Sequence, residues 1–412
     1  MKYFLALVIV LTLVGPGMTG CSARPLLYDV EFYPDVISPN ADGHDDAANI
    51  LYKLSRNASL SIYLIDEAGE RHYHRDGERR SAQDQSYWTL FGGVVDVLDG
   101  GPVKRRMMPD GQYTWVIEAT DDSGHTEKAE GSLTIVDADT AVPEMRNFSV
   151  YPQVFTPNQD GIDDRVAIAF YLSKEAKYRV YLEDEDGDRY PLAEKEREIE
   201  PDQPGMHIYD YEGGVDLGAT PPPDGIYTVV AEAEDLVGNK TVITSTLTFV
   251  DGGVPRADIV NADVDFDPMI VPLGGTLTFT ATVENFGTVP IRTTGPLPGT
   301  TYESDQNFNS LGWYEEPGAW RLGIDFETNS SGRPYPYRFA IGDDDDLEIR
   351  VIRGQEYRYL LPGQRATVTG HIQILQEPPR NPIYFFAGLI HEDVRIDAFN
   401  DHVDPQEISI GF

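Results

Sequence analysis

Two short acidic loops contain the most regular set of potential metal ligands in the sequence. Residues 38–46 read SPNADGHDD, and residues 156–164 read TPNQDGIDD. Oxygen-bearing residues alternate with others around a glycine, and calcium takes roughly six to eight such hard oxygen ligands. The predicted calcium ligands, with backbone carbonyl oxygens from the histidine and the isoleucine, are Asn40, Asp42, His44, Asp46, Asn158, Asp160, Ile162 and Asp164.

The same loop sequences have a second interpretation. Asn and Asp side chains hydrogen-bond their own backbone, and glycine accepts positive φ, so Asn-x-Asp-Gly closes a turn without any ion. A helix-loop-helix calcium loop would also begin with Asp, where this chain has Ser38 or Thr156. The sequence therefore leaves a calcium site and a capped turn both open.

Two smaller clusters of ionisable residues favour structural roles. The run Asp343–Asp346 is typical of a solvated acidic turn, with a cation site as the alternative. His72 and His74 lie two residues apart and hence on one face of a predicted strand, a spacing that can bind zinc. No third ligand is in register with them in the sequence, so we interpret both as exposed strand residues.

Motifs of the common enzyme classes are missing from the sequence. It contains no H-E-x-x-H, no G-x-S-x-G and no G-x-x-x-x-G-K-[ST], and its single cysteine is Cys21, beside the N-terminal apolar segment. The net charge of −37 would repel the phosphates of nucleic acids. We therefore predict a non-catalytic protein without a nucleic-acid partner.

A further candidate region is rich in aromatic residues. Residues 293–347 form a long Gly- and Pro-rich segment between predicted strands, and long insertions in compact domains are often functional loops. Exposed Trp and Tyr rings can stack on sugars or anchor a protein partner. The predicted ligand-binding residues are Trp313, Tyr314, Trp320, Tyr335 and Tyr337. The alternative is that these rings pack the loops against a sandwich.

The elements that position these residues belong to an internal repeat. Pro39 corresponds to Pro157, 118 residues later, and both copies contain a PDGxYT sequence, which begins at Pro109 and Pro223. Apolar and polar residues alternate over short runs in each copy, and turn sequences separate the runs. A period of two in units of this length predicts antiparallel β-sandwiches.

The sequence thus predicts an all-β chain of three tandem immunoglobulin-like antiparallel β-sandwiches in 412 residues. The predicted segments are a signal peptide at 1–20, a tether at 21–26, a first sandwich at 27–140, a second at 143–253, and a C-terminal sandwich module with long aromatic-rich loops at 255–412.

The N-terminal segment indicates export. Lys2 precedes an apolar run from Tyr3 to Val14, which is too short to span a membrane and is typical of a secretory signal. Residues 18–21 read MTGC and resemble the bacterial lipobox, with Met18 in place of the usual leucine. The resemblance implies that Cys21 is lipidated and anchors the protein to a membrane of the cell envelope, facing outside the cytoplasm.

The two repeats also resemble a known family. Their PNxDGxxD opening, the Gly-Gly segments at 92–93 and 213–214, and the PDGxYT strand are similar to the FlgD-like immunoglobulin-fold domain of bacterial extracellular proteins. Residues after Pro255 resemble adhesion-type sandwich modules over a shorter stretch. These resemblances imply a fold rather than an activity.

Taken together, these features predict a structural or adhesive surface lipoprotein. Its two repeats would form a stalk, and its C-terminal module would bind an extracellular protein or a cell-envelope polysaccharide. The alternative is a carbohydrate-binding lipoprotein that uses the aromatic loops of residues 293–347. Calcium is the one cofactor that the sequence predicts.

Overall fold

The computed structural model describes residues 24–194, 199–396 and 398–411. The predicted signal peptide and the predicted lipidation site, Cys21, lie outside these residues. Within them, all regular structure consists of β-strands and three short 3-10 helices, and no helix is long and apolar enough to cross a membrane. The prediction of an all-β fold is confirmed.

The chain divides into two compact units, of which the first extends to Val142 and includes Leu236–Lys240. Its strands are β1 (Leu27–Tyr33), β2 (Val36–Ile37), β3 (Ala48–Leu54), β4 (Ala58–Ile65), β5 (Arg71–Arg80), β6 (Tyr87–Phe91), β7 (Val94–Asp96), β8 (Val103–Met107), β9 (Gly111–Asp121) and β10 (Thr126–Ile135). One sheet has the order β1-β3-β6, the other β2-β10-β9-β4-β5, and β7 and β8 form a hairpin.

The second unit comprises Pro143–Asp235 and the residues from Thr241 onward. Its first sandwich contains β11 (Met145–Tyr151), β12 (Val154–Phe155), β13 (Val166–Leu172), β14 (Lys177–Glu183), β15 (Arg189–Pro191), β16 (Gly205–Tyr211), a 3-10 helix (Val215–Leu217), β17 (Gly225–Glu234) and β18 (Lys240–Phe249). The order β11-β13-β16 repeats that of β1-β3-β6, and β15-β14-β17-β18 form the facing sheet.

The C-terminal module completes the second unit. Its elements are β19 (Ala257–Asp267), β20 (Ile270–Val271), β21 (Thr276–Asn285), β22 (Ile291–Thr293), β23 (Thr301–Glu303), a 3-10 helix (Phe308–Leu311), β24 (Trp320–Phe326), β25 (Tyr337–Ala340), β26 (Glu348–Ile352), β27 (Gln355–Leu360), β28 (Arg365–Gln373), β29 (Ile383–His391), β30 (Arg395–Ile396), a 3-10 helix (Ala398–Asn400) and β31 (Val403–Ile410). Strands β19-β21-β28-β23 form one sheet, and the larger sheet has the order β20-β31-β29-β24-β22-β27-β26.

All three sandwiches begin in the same way. A two-residue strand follows the first long strand and pairs in parallel with the last strand of the same sandwich, so that β2 pairs with β10, β12 with β18 and β20 with β31. The C-terminal module shares this arrangement although its sequence does not continue the repeat.

Each sandwich encloses its own apolar cluster. Burial alternates along the central strands, as on β3, β13 and β21, because successive side chains of a strand point to opposite faces. The three clusters contain Ile50, Phe170 and Phe279, respectively, each almost fully buried. The period-two pattern of the sequence therefore corresponds to real inward-facing positions.

The Tyr and Asp side chains of the PDGxYT motif hydrogen-bond backbone groups near the C-terminal end of each repeat. The hydroxyl of Tyr113 donates to the backbone oxygen of Pro109, and Tyr227 does the same to Pro223. In the second repeat the Asp224 carboxylate accepts two backbone N–H groups just after β18, and Asp110 has the same role in the first. These hydrogen bonds give the motif a structural role and explain its recurrence in both repeats.

Residues 293–347 are not the long loop that we expected. The segment contains β23, a 3-10 helix, β24 and β25, and β24 lies inside the larger sheet between β29 and β22. The sequence WRLGIDF of β24 does alternate, with Trp320, Leu322 and Ile324 facing the apolar core. The interpretation as a loop was wrong because the Gly- and Pro-rich stretches on both sides of β24 outweighed this short alternation.

Candidate functional site

Both Asn-x-Asp-Gly loops fold into turns that their own backbone closes. In the first loop, the Asp46 carboxylate accepts the backbone N–H groups of Asn40, Ala41 and Gly43 at 2.8–3.2 Å. The Asp42 carboxylate accepts the N–H of His44 at 2.8 Å. The oxygens predicted as calcium ligands thus already accept hydrogen bonds.

The second loop repeats this network. The Asp164 carboxylate accepts the N–H groups of Asn158, Asp160 and Gly161 at 2.6–3.2 Å, and Asp160 accepts the N–H of Ile162 at 2.8 Å. The geometry is that of the capped turn. Calcium binding at either loop stays a prediction.

The two loops differ in what covers them. Residues 41–45 of the first loop are exposed, whereas Asp160 is only 5% exposed because the C-terminal module packs onto the second loop. We call this contact the joint: residues 156–164 with Arg292, Pro317, Gly318, Tyr359 and His391.

Three buried side chains of the module bond the second loop. Arg292 Nε donates to the backbone oxygen of Asp160 at 2.6 Å. The Tyr359 hydroxyl donates to the Asp160 carboxylate at 2.9 Å, and His391 Nε2 donates to the backbone oxygen of Gln159 at 2.7 Å. Buried polar groups are costly unless they are paired, so these bonds define one docked position.

Backbone also approaches backbone closely in the joint. A Cβ on Gly161 would lie 2.2 Å from the carbonyl oxygen of Pro317, and one on Gly318 would lie 2.1 Å from the carbonyl carbon of Asp160. Both glycines have positive φ. Neither Gly161 nor Gly318 can therefore be replaced by a residue with a side chain without moving the two loops apart.

Burial changes the acid–base properties of the joint. Desolvation and the neighbouring Asp164 carboxylate raise the pKa of Asp160 to about 7. Burial also raises the pKa of Asp164 and lowers the pKa of His391 to about 4. The joint thus contains a carboxyl group that titrates near neutrality.

Exposed ion pairs surround the joint. Arg353 reaches both oxygens of Asp163 at 2.6 Å, and Arg350 contacts Asp251 at 2.7 Å. Exposed pairs of this kind contribute little to stability, so the buried contacts dominate the joint.

Three of the five predicted ligand-binding aromatics are core residues. Trp320, Tyr335 and Tyr337 are at most 3% exposed and therefore cannot present a ring face to a ligand. The Trp320 ring stacks on His391 with a centroid distance of 4.4 Å, and so supports the joint. Trp313 and Tyr314 are 37% and 69% exposed.

A cleft of about 470 Å³ opens in the C-terminal module. The half-buried ring of Phe326 lies at its floor, over the buried rings of Tyr337 and Phe385. Its rim is polar, with Asp305, Thr328, Ser330 and Gln376 among the lining residues. This volume is in the range of small-ligand sites. Tyr337 is the one predicted ligand-binding aromatic that contributes to the lining.

The cleft and the joint lie at opposite ends of one strand pair. In the antiparallel register of β24 and β29, Trp320 pairs with His391 at the joint and Phe326 pairs with Phe385 at the cleft. Six residue steps at about 3.3 Å each separate the two ends by about 20 Å.

The remaining acidic clusters have structural partners. In the first repeat, Asp66, Glu70 and His72 bring ligand atoms within 4.8 Å of one another, a group that can hold a cation. His72 Nε2 lies 3.0 Å from Asp66, and in the second repeat the Tyr190 hydroxyl bonds the equivalent Asp184. His74 instead packs edge-on against Phe91.

The acidic run at residues 343–346 forms a turn. The Asp343 carboxylate accepts the N–H of Asp345 at 2.9 Å, and Asp344 pairs with Arg358. This is the solvated turn that the sequence favoured.

Sequence reasoning missed the residues of the joint and the polar rim of the cleft. Arg292 had a visible signal, because it directly follows the apolar run of residues 289–291 in TVPIRT, and a charged side chain that is buried there requires a specific partner. Tyr359 and His391 gave no comparable signal.

No protein-family model matches the chain, and no curated protein matches it. Among similar solved structures, a Ca²⁺-stabilized adhesin with which an Antarctic bacterium binds ice is 13% identical, with 93% of this chain and 71% of that chain covered and a TM-score of 0.23. A segment of two fibronectin type-III domains from chicken tenascin is 10% identical, with 54% and 98% covered and a TM-score of 0.17.

A third solved structure is SGBP-B of a Bacteroides ovatus mixed-linkage glucan utilization locus, in complex with a mixed-linkage heptasaccharide. It is 10% identical, with 93% of this chain and 71% of that chain covered and a TM-score of 0.16. Similarities this low carry no argument about function, and the FlgD-like resemblance stays a prediction.

Proposed function

We propose that this chain is a non-catalytic surface protein of the bacterial cell envelope, anchored through Cys21, that holds its C-terminal module outward for binding. The observation that carries the proposal is the position of the joint and the cleft at opposite ends of β24 and β29. The joint fixes one end of the module to the second repeat. The other end, with the cleft, remains open to a partner.

The character of the joint supports a presenting role. Its contacts are buried hydrogen bonds and a backbone approach that only glycine permits at Gly161 and Gly318. A flexible tether would need none of these. The second repeat and the module therefore act as one stiff body, as a stalk requires.

The proposed partners are an extracellular protein or a cell-envelope polysaccharide. No residue is assigned a catalytic role in this proposal. The chain would also contact the membrane, through the lipid on Cys21.

Labelling of intact cells tests the proposal. Ser330, on the cleft rim, is exposed, and Ser330→Cys adds one free thiol to a chain whose only other cysteine would be acylated. We expect a membrane-impermeant maleimide to label the full-length variant on intact cells. The unsubstituted chain, as the matched control, should stay unlabelled.

Cys21→Ala completes the test. In combination with Ser330→Cys, it should release the protein from the membrane fraction. Labelling of the Ser330→Cys chain only after cell lysis, or membrane retention without Cys21, would contradict the proposal.

A further inference from the structure

We infer that the cleft of the C-terminal module binds a neutral saccharide chain. This inference rests on the proposed function, because it names the ligand class of the displayed module. It places the site on the cleft rather than on the exposed aromatics Trp313 and Tyr314.

The charge of the cleft limits its ligand. Among the described residues that line it, there is no Lys, Arg or His, whereas Asp305 and Glu377 contribute carboxylates. Negative walls repel phosphates, uronic acids and other anions. The charge of the lining therefore disfavours an anionic ligand.

The cleft also offers hydrogen-bonding groups that the fold does not use. The Thr328 hydroxyl oxygen is buried and has no hydrogen-bond partner within the described residues. In the same part of the chain, the side chains of Asp305, Ser330 and Gln376 make no hydrogen bond in the structure. The exposed side chains of Asp305, Ser330 and Gln376 can therefore bond ligand hydroxyls, whereas the Thr328 oxygen has no accessible surface for a ligand.

The floor complements this rim. Phe326 is half-buried and packs against Tyr337 and Phe385, with ring centroids 6.2 and 5.7 Å away. A sugar ring has an apolar C–H face and a periphery of hydroxyl groups. The accessible part of the Phe326 ring, supported by the buried rings of Tyr337 and Phe385, lies beneath a rim of carboxylate, amide and hydroxyl groups and so matches both surfaces.

Calorimetric titration of the full chain with neutral hexasaccharides is the direct test. The probes are cellohexaose, laminarihexaose, mannohexaose and xylohexaose, with hexagalacturonate as the anionic control. We expect at least one neutral hexaose to bind and hexagalacturonate not to bind.

Variants then locate the site. Asp305→Ala and Gln376→Ala each truncate an exposed side chain of the cleft rim. Each should weaken binding at least 10-fold, a loss of about 1.4 kcal/mol. The double variant Trp313→Ala/Tyr314→Ala, which removes exposed rings outside the cleft lining, should bind as the unsubstituted chain does.

Several outcomes would overturn the inference. The first is that no neutral hexaose binds at 10-fold molar excess over millimolar protein, and the second is that hexagalacturonate binds equally well. The third is binding that the double variant abolishes and that Gln376→Ala does not change. Binding of a decaproline peptide in the cleft without saccharide binding would reassign it to a protein ligand. None of these results affects the cell-labelling test of surface display.

Discussion

The first and second Asn-x-Asp-Gly loops share a sequence framework and a hydrogen-bond network but differ in environment. Asp42 is exposed to solvent, whereas Asp160 is buried under the C-terminal module. The same turn is thus a surface loop in one repeat and the centre of a joint in the other. Local sequence sets the shape of the turn, and the covering chain decides what that shape does.

The largest effect that distinguishes the two loops should come from their glycines. Gly43→Ala strains a positive φ but meets nothing within 4 Å, whereas Gly161→Ala also drives a Cβ into the Pro317 carbonyl. We expect Gly43→Ala to cost about 1–2 kcal/mol. Gly161→Ala should cost about 3–5 kcal/mol, because backbone overpacking adds to that strain.

Chemical unfolding with hydrogen exchange checks this prediction. Gly161→Ala should accelerate exchange of the Gly318 amide, which bonds the Glu392 carbonyl in the joint. Equal costs of the two substitutions would show that the module does not press on the second loop.

The next effect is a pH dependence that only the second loop should show. Folding raises the pKa of Asp160 from 3.8 to about 7, so the folded state holds a proton that the unfolded state has lost. The stabilising contribution is present below pH 4 and is lost as the pH rises towards 7, by up to about 4 kcal/mol.

The buried His391, whose pKa is lowered to about 4, contributes a rise of stability with pH that opposes this decline below about pH 6.5. Asp160→Asn should therefore remove the decline and make the change of stability with pH more positive, and Asp42→Asn should leave the pH dependence unchanged. Urea unfolding at pH 5, 6, 7 and 8 measures the slope for each chain. A slope that both variants share with the unsubstituted protein would exclude Asp160 as its source.

A smaller effect should follow from the hydroxyl group of Tyr359. Tyr359→Phe removes the donor to Asp160, which costs about 1–2 kcal/mol and shifts the pKa of Asp160 further upward. Tyr357→Phe is the matched control on the same strand. NMR titration of the Asp160 carboxyl group distinguishes the two variants, and an unshifted titration in Tyr359→Phe would contradict the contact.

The smallest effect should come from calcium. The Asp46 and Asp164 oxygens already accept backbone N–H groups, with which calcium would compete, so we expect calcium added after chelation to raise the melting temperature by no more than about 1 °C. Scanning calorimetry measures this. The contradicting result is an increase of several degrees. If Asp42→Ala removes this increase and Asp160→Ala does not, the exposed loop alone binds the ion.

Much of the fold could be predicted from the sequence because its signals are local. Alternation on β3 and β13 marked inward-facing residues, and turn motifs such as PDGxYT marked strand ends. β24 escaped although its sequence WRLGIDF alternates, because Gly- and Pro-rich stretches flank it and the whole segment was interpreted as a loop. The aromatic residues were therefore assigned to loops, whereas Trp320 and Tyr337 are on buried strands.

The candidate site was less accessible to sequence reasoning. The polar rim of the cleft combines Asp305, Thr328 and Gln376, which follow three different strands. Each residue is ordinary in its own segment. Only the pairing of β23 with β28, and the packing of their sheet against the sheet that contains β24, place them around one cavity.

The sequence by itself determined the β-sandwich architecture, the repeat and the closed turns, since these depend on side-chain alternation and on residues a few positions apart. Tertiary structure decided which of two similar loops is buried and where the cleft opens. Asp160 differs from Asp42 because Arg292 and Tyr359, more than 130 residues away in the chain, exclude water from it. Desolvation depends on what covers a group, and no local motif records that.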